Sequence, residues 1–281
     1  MMELKQQAVL LAALLAAGSG QAGVRWFTPT PPDQGRELST DRPDKTESPY
    51  TVDTGHFQLE SDLLNFTRDH SRGGGGDTVT ETWSFATLNF KAGLRDDVDL
   101  QLVLAPYSRS RTEDRTAGTV QRAHGFGDVT VRVKKNLWGN EGGRTAFAVM
   151  PFMKFPTSEA GLGNAAVEGG LIFPLAVELP RGWGMGLMTE LDWLQDDDGA
   201  GRHPACINSV TFNHRLTEKL AGYVEFFSEV SAESGAPWVG TVDFGLTYGL
   251  TKNLQLDAGV NLGVTAAADD ANPFVGISWR F

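Results

Sequence analysis

The chain has 281 residues, 41% of them hydrophobic, and a formal net charge of −11 at neutral pH. Because the phosphate backbone of a nucleic acid is bound by a basic surface, this acidic balance argues against nucleic acid as a partner. Cys206 is the only cysteine, which excludes an intramolecular disulfide and a structural zinc site built from several cysteines.

The N-terminus has the pattern of a secretory signal peptide. Lys5 provides a positive charge, residues 8–17 are apolar, and Gly20 and Ala22 are small residues placed as in a cleavage site. A membrane anchor would need about 20 apolar residues, roughly twice the length of this run. The sequence therefore predicts export, with residues 1–22 removed as a signal peptide.

Residues 23–53 are polar and contain several prolines, so we expect irregular structure there rather than a strand. Asp41, Arg42, Asp44 and Glu47 give this stretch charges of both signs. We interpret it as a periplasmic segment that folds into the mouth of a barrel as a partial plug.

From residue 54 to the C-terminus, apolar and polar side chains alternate in segments of about ten residues separated by turn residues. The clearest segment alternates Val129, Val131 and Val133 with Arg132 and Lys134. About twelve such segments are present, near residues 55–66, 80–92, 98–107, 128–134, 145–155, 166–177, 184–193, 206–215, 221–230, 238–249, 254–264 and 273–281.

The links between these segments alternate in length. The short links are residues 93–97, 139–143, 180–182, 217–219 and 251–253. The long, polar links are residues 67–79, 108–124, 156–165, 194–204, 231–237 and 265–272. Outer-membrane barrels have tight periplasmic turns and long external loops, so short and long links alternate along the chain. The architecture of a soluble β-sandwich does not require this alternation.

The predicted fold class is therefore all-β. We expect a transmembrane antiparallel up-and-down β-barrel of about 12 strands over residues 54–281, in the outer membrane and in contact with its lipid. Tryptophans near predicted strand ends favour aromatic girdles at the two interfaces over a soluble core. These are Trp138, Trp183, Trp193, Trp238 and Trp279.

The last strand has the pattern of an assembly signal. Ile277, Trp279 and Phe281 alternate with Ser278 and Arg280 and end the chain on an aromatic residue. We expect the barrel-assembly machinery to bind this strand. The first three side chains are predicted to face lipid, and the other two are predicted to face the lumen.

Several stretches resemble one family. They are LSTDRPDKTESPYTV (38–52), GHFQLE (55–60), GFGDVTVRVKKNLWGN (125–140), GGRTAFAVMPFMKFPT (142–157), LTKNLQLDAGVNLGVT (250–265) and NPFVGISWRF (272–281). Together they are similar to the outer-membrane transporter family labelled "putative MetA-pathway of phenol degradation". The resemblance implies a membrane barrel that passes small molecules, aromatic or otherwise poorly soluble ones included. The family has no catalytic motif or cofactor to carry over.

Charged residues on the predicted inner face are the candidate functional residues. They are Glu60, Arg132, Lys134, Glu190, Glu225, Asp243, Asp257 and Arg280. One interpretation is a water-filled path that selects small solutes, with a weak cation preference because acids outnumber bases. The alternative is a closed structural or surface-interaction barrel whose lumen is filled by paired charges.

An outer-membrane phospholipase is the third candidate, but no GxSxG motif occurs. Asn213 and His214 are adjacent, and neighbours on a strand face opposite sides. His203 and the acidic run 196–198 fall in predicted external loops, where solvated side chains are the simpler interpretation. The sequence therefore predicts neither an enzyme nor a metal or cofactor site.

Overall fold

The computed structural model describes residues 28–31, 33–73, 75–159, 162–163 and 165–281. The predicted signal peptide, residues 1–22, lies outside the described residues. The first residues of the proline-containing segment, 23–27, lie outside them as well.

Fourteen β-strands occur in the described part of the chain, and neighbouring strands pair antiparallel. The strands are β1 (Phe57–Gly73), β2 (Gly76–Arg95), β3 (Val98–Leu104), β4 (Tyr107–Asp114), β5 (Thr119–Gly125), β6 (Val129–Trp138), β7 (Thr145–Phe155), β8 (Glu168–Glu178), β9 (Trp183–Gln195), β10 (Arg202–Arg215), β11 (Leu220–Ser231), β12 (Val239–Thr251), β13 (Leu254–Gly263) and β14 (Ala271–Arg280). No helix among the described residues is long and apolar enough to cross a membrane.

The wall closes on itself. β4 continues the line of β3 after a break at residues 105–106, and β5 leads into β6 across residues 126–128. β1 pairs with β14, beginning with Gln58 opposite Arg280. The described residues therefore form a closed barrel of twelve wall strands, which confirms the predicted fold.

The five short links lie together at one end of the barrel, where both termini of the wall also lie. Backbone hydrogen bonds of 2.9 Å join Phe57 and Phe281 in both directions at this end. In outer-membrane barrels the tight turns are periplasmic, so this is the periplasmic end.

The two faces of each strand differ in chemistry. In β14, Ser278 is fully buried on the inner side, whereas Val275 and Trp279 are 43% and 48% exposed on the outer side. Hydrocarbon can cover such apolar side chains, and a closed sheet leaves no unpaired backbone groups in lipid. The outer surface of the barrel is therefore apolar.

Two of the predicted external loops are strands instead. Residues 67–79 extend β1 and β2 into a hairpin, and residues 108–124 contain β4 and β5. β2 alone has 20 residues, which span roughly 65 Å, about twice what a membrane strand requires. The prediction was wrong because a strand that extends into water needs no apolar face.

The five predicted girdle tryptophans are all exposed at or next to strand ends, between 44% and 53%. Trp138, Trp183 and Trp279 lie at the periplasmic end, and Trp193 and Trp238 lie at the external end. This placement at both ends of the barrel is the one expected for two aromatic girdles.

Candidate functional site

Residues 36–53, here called the interior segment, contact the inner face of the barrel. Asp41 is a centre of these contacts. Its carboxylate forms ion pairs with Lys134 at 2.6 Å and Lys91 at 2.5 Å, and its backbone N–H donates to Glu60 at 3.0 Å. Lys91 also pairs with Glu60. These side chains are at most 6% exposed, so a buried charge network fastens the segment to β1, β2 and β6.

The charge state of Asp41 follows from this network. Burial alone would raise the pKa of Asp41, but the charges of Lys134 and Lys91 hold it well below its ordinary value. Asp41 therefore stays ionised at neutral pH and binds both lysines.

Arg42 makes a second set of contacts, on β1, β13 and β14. Its guanidinium pairs with Asp62 at 2.5 Å and Asp257 at 2.6 Å, and lies 5.5 Å from the ring centre of Phe274. A Cβ atom at Gly276 would overlap the guanidinium. The glycine therefore makes room for the bidentate contact of Arg42 with the wall.

Two consecutive backbone amides of the segment bind one carboxylate on β11. The N–H groups of Lys45 and Thr46 each donate to Glu225 at 2.8 Å. The Lys45 ammonium group lies 3.3 Å from Asp243 on β12. Glu225 and Asp243 are at most 1% exposed, and the segment supplies hydrogen-bond donors to Glu225 and a positive charge to Asp243.

Glu47 lies where the segment reaches β6 and β9. It accepts a hydrogen bond from Arg132 at 2.5 Å, and its second carboxylate oxygen is buried without a hydrogen-bond partner among the described residues. Burial, together with the charge of Asp41, raises the pKa of Glu47 to about 7, although Arg132 acts in the opposite direction. Glu190 of β9 lies close enough for its charge to interact with both Glu47 and Arg132.

The segment leaves the barrel at the periplasmic end. Asp53 pairs there with Arg36 at 2.5 Å and with Arg280 at 3.5 Å. A Cβ atom at Gly93 would overlap the carbonyl oxygens of Val52 and Asp53. The backbone of the segment thus lies directly on β2 at this point, which only a glycine permits.

The structure places seven of the eight predicted inner-face residues in direct contact with the interior segment. They are Glu60, Arg132, Lys134, Glu225, Asp243, Asp257 and Arg280. The eighth, Glu190, lies beside the Glu47–Arg132 pair. Backbone and side-chain groups of the segment therefore meet these charges.

Lys91 and Asp99 belong to the same network but were not among the predicted site residues. Lys91 is 2% exposed, and Asp99 is fully buried and accepts a hydrogen bond from the backbone of Val52 at 3.1 Å. The alternation of Phe90, Lys91 and Ala92 in β2 is a signal that places this lysine on the inner face.

The periplasmic halves of the inner faces of β7, β8 and β9 differ from the rest of the wall, whereas Lys154, Glu168 and Glu190 lie on the same faces nearer the external end. The small and apolar side chains of these periplasmic halves, here called the apolar wall, are Ala146, Ala148, Met150, Ile172, Pro174, Ala176, Gly184, Gly186 and Met188. Met150, Ile172 and Met188 form a buried cluster with Phe152 and Ile207 packed against it. These residues supply no ion pair to hold the interior segment.

The comparisons with known proteins support the resemblance seen in the sequence. The family described as "Putative MetA-pathway of phenol degradation" matches residues 40–281. The chain belongs to this family. The match begins at Thr40, so it includes most of the interior segment as well as the barrel. No curated protein is similar enough in sequence to match.

Solved structures share the fold of this family member at low sequence identity. An outer-membrane channel from Pseudomonas putida F1 superposes with a TM-score of 0.63 and 13% identity, covering 83% of this chain and 97% of the other. The transport unit of the autotransporter AIDA-I from Escherichia coli superposes with a TM-score of 0.53 and 13% identity, covering 81% of this chain and 90% of the other. The translocator domain of autotransporter NalP from Neisseria meningitidis superposes with a TM-score of 0.51 and 11% identity, covering 81% of this chain and 89% of the other. The fold is thus that of outer-membrane β-barrels.

This member of the phenol-degradation MetA family contains a cavity of about 370 Å³ on the apolar side of the interior segment. Thr46, Glu47 and Tyr50 line it from the segment, and Ala176 and Gly186 line it from the wall. The cavity exists because the wall side chains there are small. It reaches residues close to the periplasmic ends of β10, β12 and β13, which are Asn213, Thr247 and Gln255.

Proposed function

We propose that the protein is a passive outer-membrane channel for small solutes, aromatic and poorly water-soluble ones included. The cavity between the interior segment and the apolar wall carries this proposal, because it leaves space beside the segment in the periplasmic half of the lumen. The barrel fold and the family, whose description names phenol degradation, support it.

The chemistry of the two sides of the lumen supports passage along the apolar wall. The charges on the inner faces of β1, β2 and β6 are paired with the interior segment, as in the contacts of Lys91 and Lys134 with Asp41. Where the apolar wall lines the cavity, it offers the small residues Ala176, Gly184 and Gly186 instead. The transfer of a neutral solute with an apolar surface from water to such a wall costs little free energy. The transfer of a charged solute costs much more, because the solute gives up its hydration.

A closed structural barrel is the second candidate. The ion pairs of Asp41, Arg42 and Lys45 join the interior segment to five wall strands, and that observation favours a permanently filled lumen. The two functions differ in one measurable property, which is the passage of solute through the reconstituted protein.

We do not propose an enzyme. His214 donates a hydrogen bond from Nδ1 to the carbonyl oxygen of Gly182 at 3.0 Å and stacks on Trp183 with ring centres 4.7 Å apart. These contacts support a packing role in the periplasmic aromatic girdle.

Two further proposals concern how the protein reaches the membrane. Export would remove residues 1–22, and the barrel-assembly machinery would bind β14 through its last residues. The exposure of Trp279 and Phe281, each 48%, supports the second proposal, and Ile277 is half-buried beside them.

Flux through reconstituted protein tests the proposed channel. The mature chain is inserted into liposomes, and swelling is recorded with glucose, phenyl glucoside and sucrose, which cross plain bilayers slowly. We expect phenyl glucoside to enter faster than the smaller glucose, because its ring can lie against the apolar wall. Swelling no faster than that of protein-free liposomes, for every solute, would establish the closed barrel.

A further inference from the structure

Three side chains with metal-binding atoms meet at the external end of the barrel, away from the interior segment. They are Asp196 after β9, His203 at the start of β10, and Glu233 after β11. The Nδ1 atom of His203 lies 2.8 Å from Asp196 Oδ1 and 3.9 Å from Glu233 Oε2. All three ligand atoms lie within 4.8 Å of one another.

These separations suit a small divalent ion. Zinc binds imidazole nitrogen and carboxylate oxygen at about 2.0–2.2 Å, which places tetrahedral ligand atoms roughly 3.4 Å apart. The two distances from His203 lie on either side of that value. Side-chain rotations would bring all three atoms to bonding distance of one point.

The backbone around the cluster is held in place before any ion binds. His203 is in the β10 ladder opposite Leu194, and only 9% of it is exposed. The N–H of Asp197 donates to Glu233 Oε1 at 2.8 Å, which leaves Oε2 on the side of the imidazole. The backbone N–H of Asp196 donates to the carbonyl oxygen of Gly201 at 3.1 Å.

The surroundings favour a cation. Asp197 and Asp198 follow Asp196 directly, so this edge of the barrel has a strongly negative charge that attracts divalent ions. A Cβ atom at position 201 would overlap Asp196 Oδ2. Gly201 therefore makes room for the Asp196 carboxylate to lie directly against the backbone.

We propose that Asp196, His203 and Glu233 bind a divalent transition-metal ion, zinc above all, at the external mouth. One imidazole and two carboxylates are a ligand set that zinc accepts, and three protein ligands leave a coordination position for water. The ion would join the β9–β10 loop to the β11–β12 loop. Without an ion, His203 Nδ1 is hydrogen-bonded to Asp196 Oδ1.

Isothermal titration of the tag-free mature protein in detergent with zinc chloride tests the site. We expect saturable binding of about one ion per chain. His203→Asn and Glu233→Gln are each expected to weaken the affinity at least about tenfold, because each removes a direct ligand. His124→Asn, which changes an external histidine of β5, and Asp198→Asn, which changes the same loop outside the cluster, are the matched controls.

A second readout identifies the ligands. Cobalt(II) bound through the imidazole gives visible absorption bands that His203→Asn abolishes, while Asp198→Asn leaves them unchanged. The proposal is overturned if the wild-type protein shows no saturable binding. It is also overturned if His203→Asn binds zinc as tightly as wild type, since the loop would then attract cations only through its acidic charge.

Discussion

The inner surface of the barrel has two contrasting sides. On one side, the faces of β14, β1, β2, β3 and β6 form a charged wall that includes Glu60, Lys91, Asp99, Lys134 and Arg280. On the other, β7, β8 and β9 present the apolar wall. The interior segment is fastened to the charged wall by buried ion pairs and lies over the apolar wall without them, and the cavity opens on that apolar side. Charge thus holds the segment, while small side chains leave room for the cavity.

The largest effect is expected from removing the segment itself. Deletion of residues 23–50 takes away the anchors Asp41 and Arg42, and we expect single-channel conductance to rise severalfold. The heat-dependent mobility of the folded barrel in gel electrophoresis checks that the wall still closes. Unchanged conductance in a folded deletion variant would show that the segment does not narrow the lumen.

Loss of one anchor on the charged wall should destabilise the barrel. Lys134→Met leaves the buried Asp41 carboxylate with Lys91 alone, at a cost of about 2 kcal/mol in the free energy of unfolding in urea.

The neighbouring Lys135 is the matched control, because it is 42% exposed and pairs with Asp97 at a periplasmic turn. Lys135→Met should cost less than about 1 kcal/mol. Equal effects of the two substitutions would mean that the Asp41 network does not fasten the segment.

Acidity should tighten the contact of the segment with β6. Burial of the segment in the barrel raises the pKa of Glu47 from 4.5 to about 7. The stability that Glu47 adds to the contact between the segment and the wall is therefore fully present below pH 4.5 and is lost as pH rises through 7. The groups facing it are Arg132, Lys134 and Lys91 on the wall, Asp41 on the segment, and Glu190 on β9.

Conductance of the wild-type channel is therefore expected to rise modestly between about pH 5 and 8. Glu47→Gln should flatten this dependence, and Glu37→Gln, which changes an exposed acid of the same segment, should keep it. A flat profile in the wild-type protein would contradict this assignment.

The smallest effect concerns ion selectivity. Acids outnumber bases among the predicted inner-face residues, but most of these charges are paired, so only a weak cation preference is expected. The reversal potential in a salt gradient measures it, and anion selectivity would be inconsistent with the charged wall as described.

Alternation of side chains predicted the wall strands and the inward charges well. It located Glu60, Glu225 and Asp243 on the inner face because a membrane strand must turn its charges away from lipid. It failed at residues 67–79 and 108–124, where β-structure continues into water and the constraint disappears.

No alternation of side chains in the sequence identified the inner face of the apolar wall. Around Ala148 and Met150 both faces of β7 are apolar, so the pattern does not distinguish the inner face from the outer one. The proposed metal site was equally invisible, because Glu233 lies thirty residues beyond His203 in the chain and only the pairing of β10 with β11 brings them together.

The flux ratio of phenyl glucoside to glucose tests the passage along the apolar wall most directly. Ala176→Trp would fill the cavity from β8, whereas Ala258→Trp places the same side chain on the exposed outer face of β13. We expect a ratio above that predicted from solute size in the wild-type protein and in Ala258→Trp, and its loss in Ala176→Trp. An unchanged ratio in Ala176→Trp would contradict the account.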